Sequence, residues 1–167
     1  MSVTFLLGGA RSGKSARALA LAESMAPTRT FIATAEAFDA EMTTRIAKHK
    51  AERGPGWTTH EAPLELVEAL ESTLRPGHAV VVDCLTLWLS NLMHHGLSPA
   101  EEVPRLVDAL SLPGELVVVS NEIGLGLVPE TPLGRRFRDE QGRLNQAVAS
   151  ASERVEFLAA GLPLTLK

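Results

Sequence analysis

The segment Gly8-Gly9-Ala10-Arg11-Ser12-Gly13-Lys14-Ser15 constrains this chain more than any other, because it fits the pattern G-x-x-x-x-G-K-[ST]. The apolar run Val3-Thr4-Phe5-Leu6-Leu7 precedes it and a helical pattern over 14–25 follows it. A strand, a glycine loop and a helix in that order form the setting in which a loop cradles a polyphosphate. Gly8, Gly9 and Gly13 let the backbone turn tightly and approach a ligand. Successive N–H groups, from Ala10, Arg11 and Ser12 onward, and the helix N-terminus then point at phosphate oxygens. Lys14 supplies a cation for the β- and γ-phosphates, and the Ser15 hydroxyl is a ligand for Mg²⁺.

The rest of the chain reads as an alternation. Strand patterns at 3–7, 30–33, 79–82, 115–119 and 154–158, with a short closing strand at 164–166, alternate with helical patterns at 14–25, 39–52, 63–73, 85–94, 99–111 and 132–151. Val80-Val81-Val82 and Val117-Val118-Val119 are continuous β-branched runs, as expected of strands buried on both faces. Such alternation predicts an α/β fold with a mostly parallel sheet flanked by helices. At 167 residues the chain is the size of one domain, 1–167, with no linker or repeat. Hydrophobic content of 45% and charged content of 22% suit a globular protein, and the net charge of −4 argues against a general nucleic-acid binder. A single cysteine, Cys84, excludes an internal disulfide and predicts a reducing, cytoplasmic setting. No apolar run has the length of a membrane span, and Met1-Ser2-Val3-Thr4 lacks the basic region of a signal peptide.

In sheets of this kind ligands bind beyond the carboxyl ends of the strands, so the residues that follow each strand are the candidates. Asp83 follows Val80-Val81-Val82, where a carboxylate either serves a Mg²⁺ ion or caps the next helix. Ser120-Asn121-Glu122 follows Val117-Val118-Val119; Glu122 is a candidate base or substrate contact, and Asn121 either binds substrate or caps a turn. Ala33-Thr34-Ala35 follows the second strand and either touches the nucleotide or forms a plain turn.

Two helical patterns carry unusual charge. In 39–52, Arg45, His49 and Arg53 recur at i, i+4 and i+8 and share one stripe. Guanidiniums beside an imidazole disfavour its protonated form, and a neutral imidazole is the nucleophilic one. The alternative is a solvated face with an ordinary surface histidine; His60, His78, His94 and His95 are read as structural or surface residues. In 132–151, Arg135, Arg136, Arg138 and Arg143 form either an anion site or an exposed face with ion pairs such as Arg135–Asp139 and Arg136–Glu140.

Taken together, these segments resemble the bifunctional adenosylcobinamide kinase / adenosylcobinamide-phosphate guanylyltransferase family, the CobU/CobP enzymes of cobalamin biosynthesis. The matching pieces run in order through nearly the whole chain: the glycine loop, Asp39-Ala40-Glu41-Met42 with Arg45-Ile46 and His49, then Trp57 and Glu61, Val82-Asp83-Cys84-Leu85-Thr86 and Leu89-Ser90-Asn91-Leu92. Ser120-Asn121-Glu122-Ile123-Gly124, Val128-Pro129, Phe137-Arg138-Asp139, Gly142-Arg143-Leu144-Asn145-Gln146 and Gly161-Leu162-Pro163 complete the series. The resemblance implies a RecA-like P-loop fold, a homotrimer and two reactions. ATP or GTP phosphorylates the aminopropanol hydroxyl of adenosylcobinamide. GTP then guanylylates a histidine, and GMP passes to adenosylcobinamide phosphate to give adenosylcobinamide-GDP.

The family's nucleophilic histidine falls on His49, and Lys50, Arg53, Glu61 and Asp83 fall on implied GTP contacts. A carboxylate at Asp83 or Glu61 can accept from guanine, so Asp83 either holds Mg²⁺ or reads the base. Arg138 and Arg143 remain candidate substrate contacts. A P-loop small-molecule kinase without guanylyltransferase activity is the alternative. One departure stands out: the family's His-Arg-x-x-Arg-Pro-x-x-Trp is His49-Lys50-Ala51-Glu52-Arg53-Gly54-Pro55-Gly56-Trp57 here. Lys50 keeps the charge but loses the guanidinium fork, and the glycines loosen the loop.

Overall fold

The structure, a computed structural model, describes residues 2–36, 54 and 56–167. The expected helix at 39–52, and with it His49, Lys50 and Arg53, lies outside the described residues.

In chain order the elements are β1 (Ser2–Gly8), α1 (Lys14–Met25), β2 (Thr28–Ala33), β3 (Trp57–Glu61), α2 (Leu66–Thr73), β4 (His78–Asp83), α3 (Leu85–His94), α4 (Pro99–Ala109), β5 (Glu115–Asn121), α5 (Pro132–Ala151), β6 (Arg154–Ala159) and β7 (Leu162–Thr165). All seven strands join one sheet in the order β3-β2-β4-β5-β1-β6-β7. Every pairing is parallel except β6 with β7. A strand can return in parallel only through a crossover, and α1 to α5 supply such crossovers among the described residues.

The pleat sorts side chains onto two faces. Val3, Phe5, Val80, Val82, Leu116, Val118 and Val155 face a core shared with α2 to α5, in which Leu66, Leu70, Trp88, Leu89, Leu92, Leu106 and Leu144 are buried. Leu6, Val81, Val117, Val119 and Leu158 face the other side, where Ala18 and Ala22 of α1 pack on them. The alanines of α1 let that helix lie close to the sheet. Consequently the loop that launches α1 sits directly over the ends of the central strands.

Three sequence expectations are corrected. β3 was not expected; it pairs with β2 from Arg29↔Trp57 to Ala33↔Glu61. It is a half-exposed edge strand whose threonines, His60 and Glu61 carry little apolar signal. The helix expected from 63 begins at Leu66, because the Pro63 carbonyl accepts from Asn91 Nδ2 at 2.9 Å and the Leu64 carbonyl from Trp88 Nε1 at 3.0 Å. The closing strand runs Leu162–Thr165 and is antiparallel, reached through a two-residue turn at Ala160 (φ 51°) and Gly161 (φ 79°).

Candidate functional site

Gly8 is in register with Asn121, Ala33 with both Asp83 and Glu61, and Asp83 with Val119. The strand alignment thus gathers the carboxyl ends of β1 to β5 along one rim, where the candidates of the glycine loop and the strand ends are found.

The loop between β1 and α1 is held from three sides. A Cβ on Gly8 would lie 2.4 Å from the Leu158 carbonyl oxygen of β6, so only glycine fits there. Gly161 in the β6–β7 turn donates its N–H to the Ser12 carbonyl at 2.9 Å. Glu122 N donates to the Gly8 carbonyl at 3.0 Å. Gly13, at φ 97°, caps α1 with no side-chain hydrogen bond, and the first turn of α1 carries no acidic residue. The first N–H groups of α1 are therefore not capped by a side chain, and no carboxylate there competes for an anion. Arg11, Ser12, Gly13, Lys14, Ser15 and Ala16 line a concavity of about 260 Å³.

Lys14 is buried, and its Nζ donates to the Gly9 carbonyl and to Ser12 Oγ at 3.3 Å. Burial holds its ammonium below the ordinary lysine value, while Asp83 and then Cys84 pull the other way. A desolvated cation whose donors meet only neutral oxygens suits an incoming phosphate. Across the loop, Ser15 Oγ donates to Asp83 Oδ2 at 2.6 Å. A hydroxyl and a carboxylate at contact form a hard-oxygen pair of the kind Mg²⁺ takes together with phosphate oxygens and water. Among the described residues no group of three or more His, Cys, Asp or Glu side chains could hold a metal by itself. Cys84 is buried, and burial followed by the Asp83 charge pushes its thiol up to about 11, so it is an inert thiol.

The other strand-end candidates have mixed fates. Thr34 is fully buried, with its hydroxyl donating to the Cys84 carbonyl at 2.7 Å and accepting from Cys84 N at 2.8 Å. Its side chain locks β2 to β4, so any nucleotide contact from Ala33-Thr34-Ala35 falls to the backbone. Asn121 donates its N–H to Thr86 Oγ1 at 2.9 Å, and its carbonyl accepts from Asn145 Nδ2 at 3.1 Å. The Glu122 carboxylate accepts from Gly124 N. Glu61 ends β3, next to Ala33. Arg138 donates to the Gly124 carbonyl, whereas Arg143 pairs with Glu140 at 2.9 Å and is well exposed. The expected pairs Arg135–Asp139 and Arg136–Glu140 do not form; Arg135 instead donates to the carbonyls of Pro129 (3.1 Å) and Glu130 (2.7 Å).

Two buried polar groupings have no counterpart in the sequence reading. Glu156 of β6 is fully buried and accepts from Arg17 Nε and Nη2, both at 2.9 Å, and from Arg154 Nε at 2.8 Å. The Arg17 hydrogen bonds hold its carboxyl below the ordinary glutamate value against the effect of burial, with Arg154 adding to them. The pair ties α1, one turn beyond Lys14, to β6. Ser120, Gln141 and Asn145 form the other grouping: Ser120 Oγ donates to Asn145 Oδ1 at 2.8 Å, and Gln141 Nε2 donates to Ser120 Oγ at 3.0 Å. It joins the carboxyl end of β5 to α5. A glutamate inside the strand pattern at 154–158 and the spacing of Gln141 and Asn145 were the available signals. Among the remaining histidines His78 is buried, bonded to Thr30 Oγ1 at 2.8 Å and Thr28 Oγ1 at 3.0 Å, at the far end of the sheet.

Comparison with known proteins sharpens this picture. A match to the family described as cobinamide kinase / cobinamide phosphate guanyltransferase covers residues 4–166. The bifunctional adenosylcobalamin biosynthesis protein CobP of Pseudomonas aeruginosa is 48% identical over 167 residues, covering 97% of this chain and 95% of the relative. CobU of Salmonella typhimurium, described in the same words, is 36% identical over 176 residues, covering 96% and 97%. Among solved structures, the ATPase EscN of the enteropathogenic E. coli type III secretion system superposes with a TM-score of 0.60 at 10% identity, over 95% of this chain and 43% of that one. The RadB recombinase superposes at 0.51 and 15% identity, over 93% and 73%. These two likenesses concern the fold alone, that of the P-loop NTPases. No helix among the described residues is long and apolar enough to cross a membrane.

Proposed function

The chain belongs to the cobinamide kinase / cobinamide phosphate guanyltransferase family, and from that premise we propose that its single glycine loop holds the nucleotide for both transfers. The observation that carries this reading is the contact of Ser15 Oγ with Asp83 Oδ2 at 2.6 Å, beside the buried Lys14. It sets a carboxylate against Ser15, which with Lys14 lines the concavity, as transfer at phosphorus requires.

In the kinase reaction Lys14 and the N–H groups of the loop bind the β- and γ-phosphates of ATP or GTP. The hydroxyl oxygen of the aminopropanol arm attacks the γ-phosphorus, the bond to the β-γ bridging oxygen breaks, and the hydroxyl proton leaves to base or water. In the guanylyl transfer a ring nitrogen of His49 attacks the α-phosphorus of GTP and pyrophosphate departs. A phosphate oxygen of cobinamide phosphate then attacks the same phosphorus and releases His49. The covalent route divides one substitution into two easier ones. Lys50 and Arg53 grip the nucleotide beside His49, and Glu61 accepts from guanine. Ser15 and Asp83 would hold Mg²⁺, which, when bound, neutralises charge on the phosphate oxygens. This assigns Asp83 to the metal rather than to the base, on the strength of its contact with Ser15. We assign the working form to a homotrimer. The outer edge of β7, with Leu162 and Leu164 exposed, offers a surface for a second copy.

Incubation with α-labelled GTP and Mg²⁺ tests the reading. The expected result is an acid-labile, base-stable label on the protein that is absent in His49→Ala. A wild-type protein that phosphorylates cobinamide and binds GTP yet never takes the label would leave a kinase alone.

A further inference from the structure

The segment between β5 and α5 is built inside out. Its backbone is held by polar side chains: the Glu122 carboxylate accepts from Gly124 N, and from α5 Arg138 donates to the Gly124 carbonyl and Arg135 to the carbonyls of Pro129 and Glu130. Thr131 Oγ1 caps α5 by accepting from Gly134 N at 3.1 Å. The apolar side chains turn outward, leaving Leu125 84%, Leu127 96% and Val128 68% exposed, and Leu133 in the first turn of α5 is 66% exposed. A cluster of exposed leucines on a loop held by hydrogen bonds marks a surface that meets a partner.

Two further observations say which partner. The loop departs from the phosphate site itself, because Glu122 N is bonded to the Gly8 carbonyl at 3.0 Å. Whatever rests on it lies where an acceptor must lie to reach a nucleotide held by the glycine loop. The second observation is charge. Among the described residues no carboxylate pairs with Arg135, Arg136 or Arg138, so the guanidiniums in the first turns of α5, which follow the leucines in the chain, hold no ion pair. The surface fits an apolar molecule that carries an anionic arm. Cobinamide is a macrocycle rimmed with methyl groups and neutral carboxamides, and its phosphorylated form carries one phosphate.

We propose that Leu125, Leu127 and Val128 seat the corrinoid ring and that Arg136, with Arg138, receives the phosphate of cobinamide phosphate. This rests on the glycine loop being the nucleotide site. The ring lies on the leucines in both reactions, while the guanidiniums act only in the second, when the acceptor has gained its phosphate. One loop therefore discriminates the two acceptors without moving.

Steady-state kinetics of both reactions, with GTP binding by calorimetry and assembly state by sedimentation, test the seat. Leu127→Ser is expected to raise KM for cobinamide and for cobinamide phosphate roughly tenfold, the loss of one buried leucine contact. The pair Leu125→Ser/Leu127→Ser raises both further, with GTP affinity and assembly state unchanged. Arg136→Ala raises KM for cobinamide phosphate severalfold and leaves KM for cobinamide in place. The seat is overturned by corrinoid KM values unmoved in the double variant. A double variant whose assembly state changes likewise overturns it, since that result assigns the leucines to a second copy of the chain. A wild-type enzyme that fails to modify cobinamide overturns the functional reading; a working wild type beside an unaffected double variant overturns the seat alone.

Discussion

The loops that follow β1 and β5 touch at one hydrogen bond, Glu122 N to Gly8 O, and solve opposite problems. The β1 loop offers its backbone and keeps the cation at its end, Lys14, buried, while its Arg11 is exposed. The β5 loop has its backbone held by Glu122 and by arginines of α5, and keeps its leucines in solvent. A phosphate is recognised by N–H groups and a desolvated charge, so its site demands rigid, close-packed backbone. A broad apolar ring is recognised by area, so its site demands exposed side chains. The difference teaches where each loop's folding tolerates change: the first in almost nothing, the second in every side chain that points outward.

The contrast breaks most sharply at Lys14. Lys14→Ala is expected to lower kcat/KM of both transfers by about 10³-fold, the scale of one lost charge contact at a transition-state oxyanion. Parallel rate measurements on the two reactions check this, and loss of only one would separate the sites. Next in size is Gly8→Ala. Its Cβ meets the Leu158 carbonyl at 2.4 Å, and the resulting shift should cost about 2–3 kcal/mol in denaturant unfolding.

Glu156→Gln comes third, at about 2 kcal/mol, discounted because Arg17 is partly exposed. The sign with pH is definite. The Arg17 hydrogen bonds depress the folded-state pKa of Glu156 below the ordinary glutamate value. The wild-type advantage is therefore full above that value and is lost as pH falls through the lower, folded pKa. Glu156→Gln should thus track the wild type more closely at acid pH than at pH 7 in urea titrations. A constant gap across that range would contradict the assignment. The smallest effect belongs to the second loop: Leu127→Ser should leave stability within about 0.5 kcal/mol, as for an exposed side chain, by the same titration at neutral pH.

Much of this was legible in the chain. The glycine loop announced its own conformation, and Val80-Val81-Val82 and Val117-Val118-Val119 announced buried parallel strands, because both are local signals of backbone chemistry and pleat. Asp83 was legible from its place after a strand, although the sequence left its role divided between metal and base; its partner Ser15 lies 68 positions away and required the fold. β3 was illegible because an edge strand of Trp57-Thr58-Thr59-His60-Glu61 hides no apolar face. The bond from Arg17 to Glu156 spans 139 positions, and no periodicity reports such a pairing. The leucines at 125 and 127 appear in the sequence as ordinary apolar residues; only their exposure makes them a surface.

The central claim is that one loop serves both chemistries, and Asp83→Asn tests it most directly. Single-turnover rates of covalent guanylylation and of phosphoryl transfer to cobinamide should be measured on the same preparation across a range of Mg²⁺ concentrations. Both rates should fall together and both should recover in part as Mg²⁺ is raised. Guanylylation at the wild-type rate beside a crippled kinase would place the two nucleotides in different sites and contradict the account.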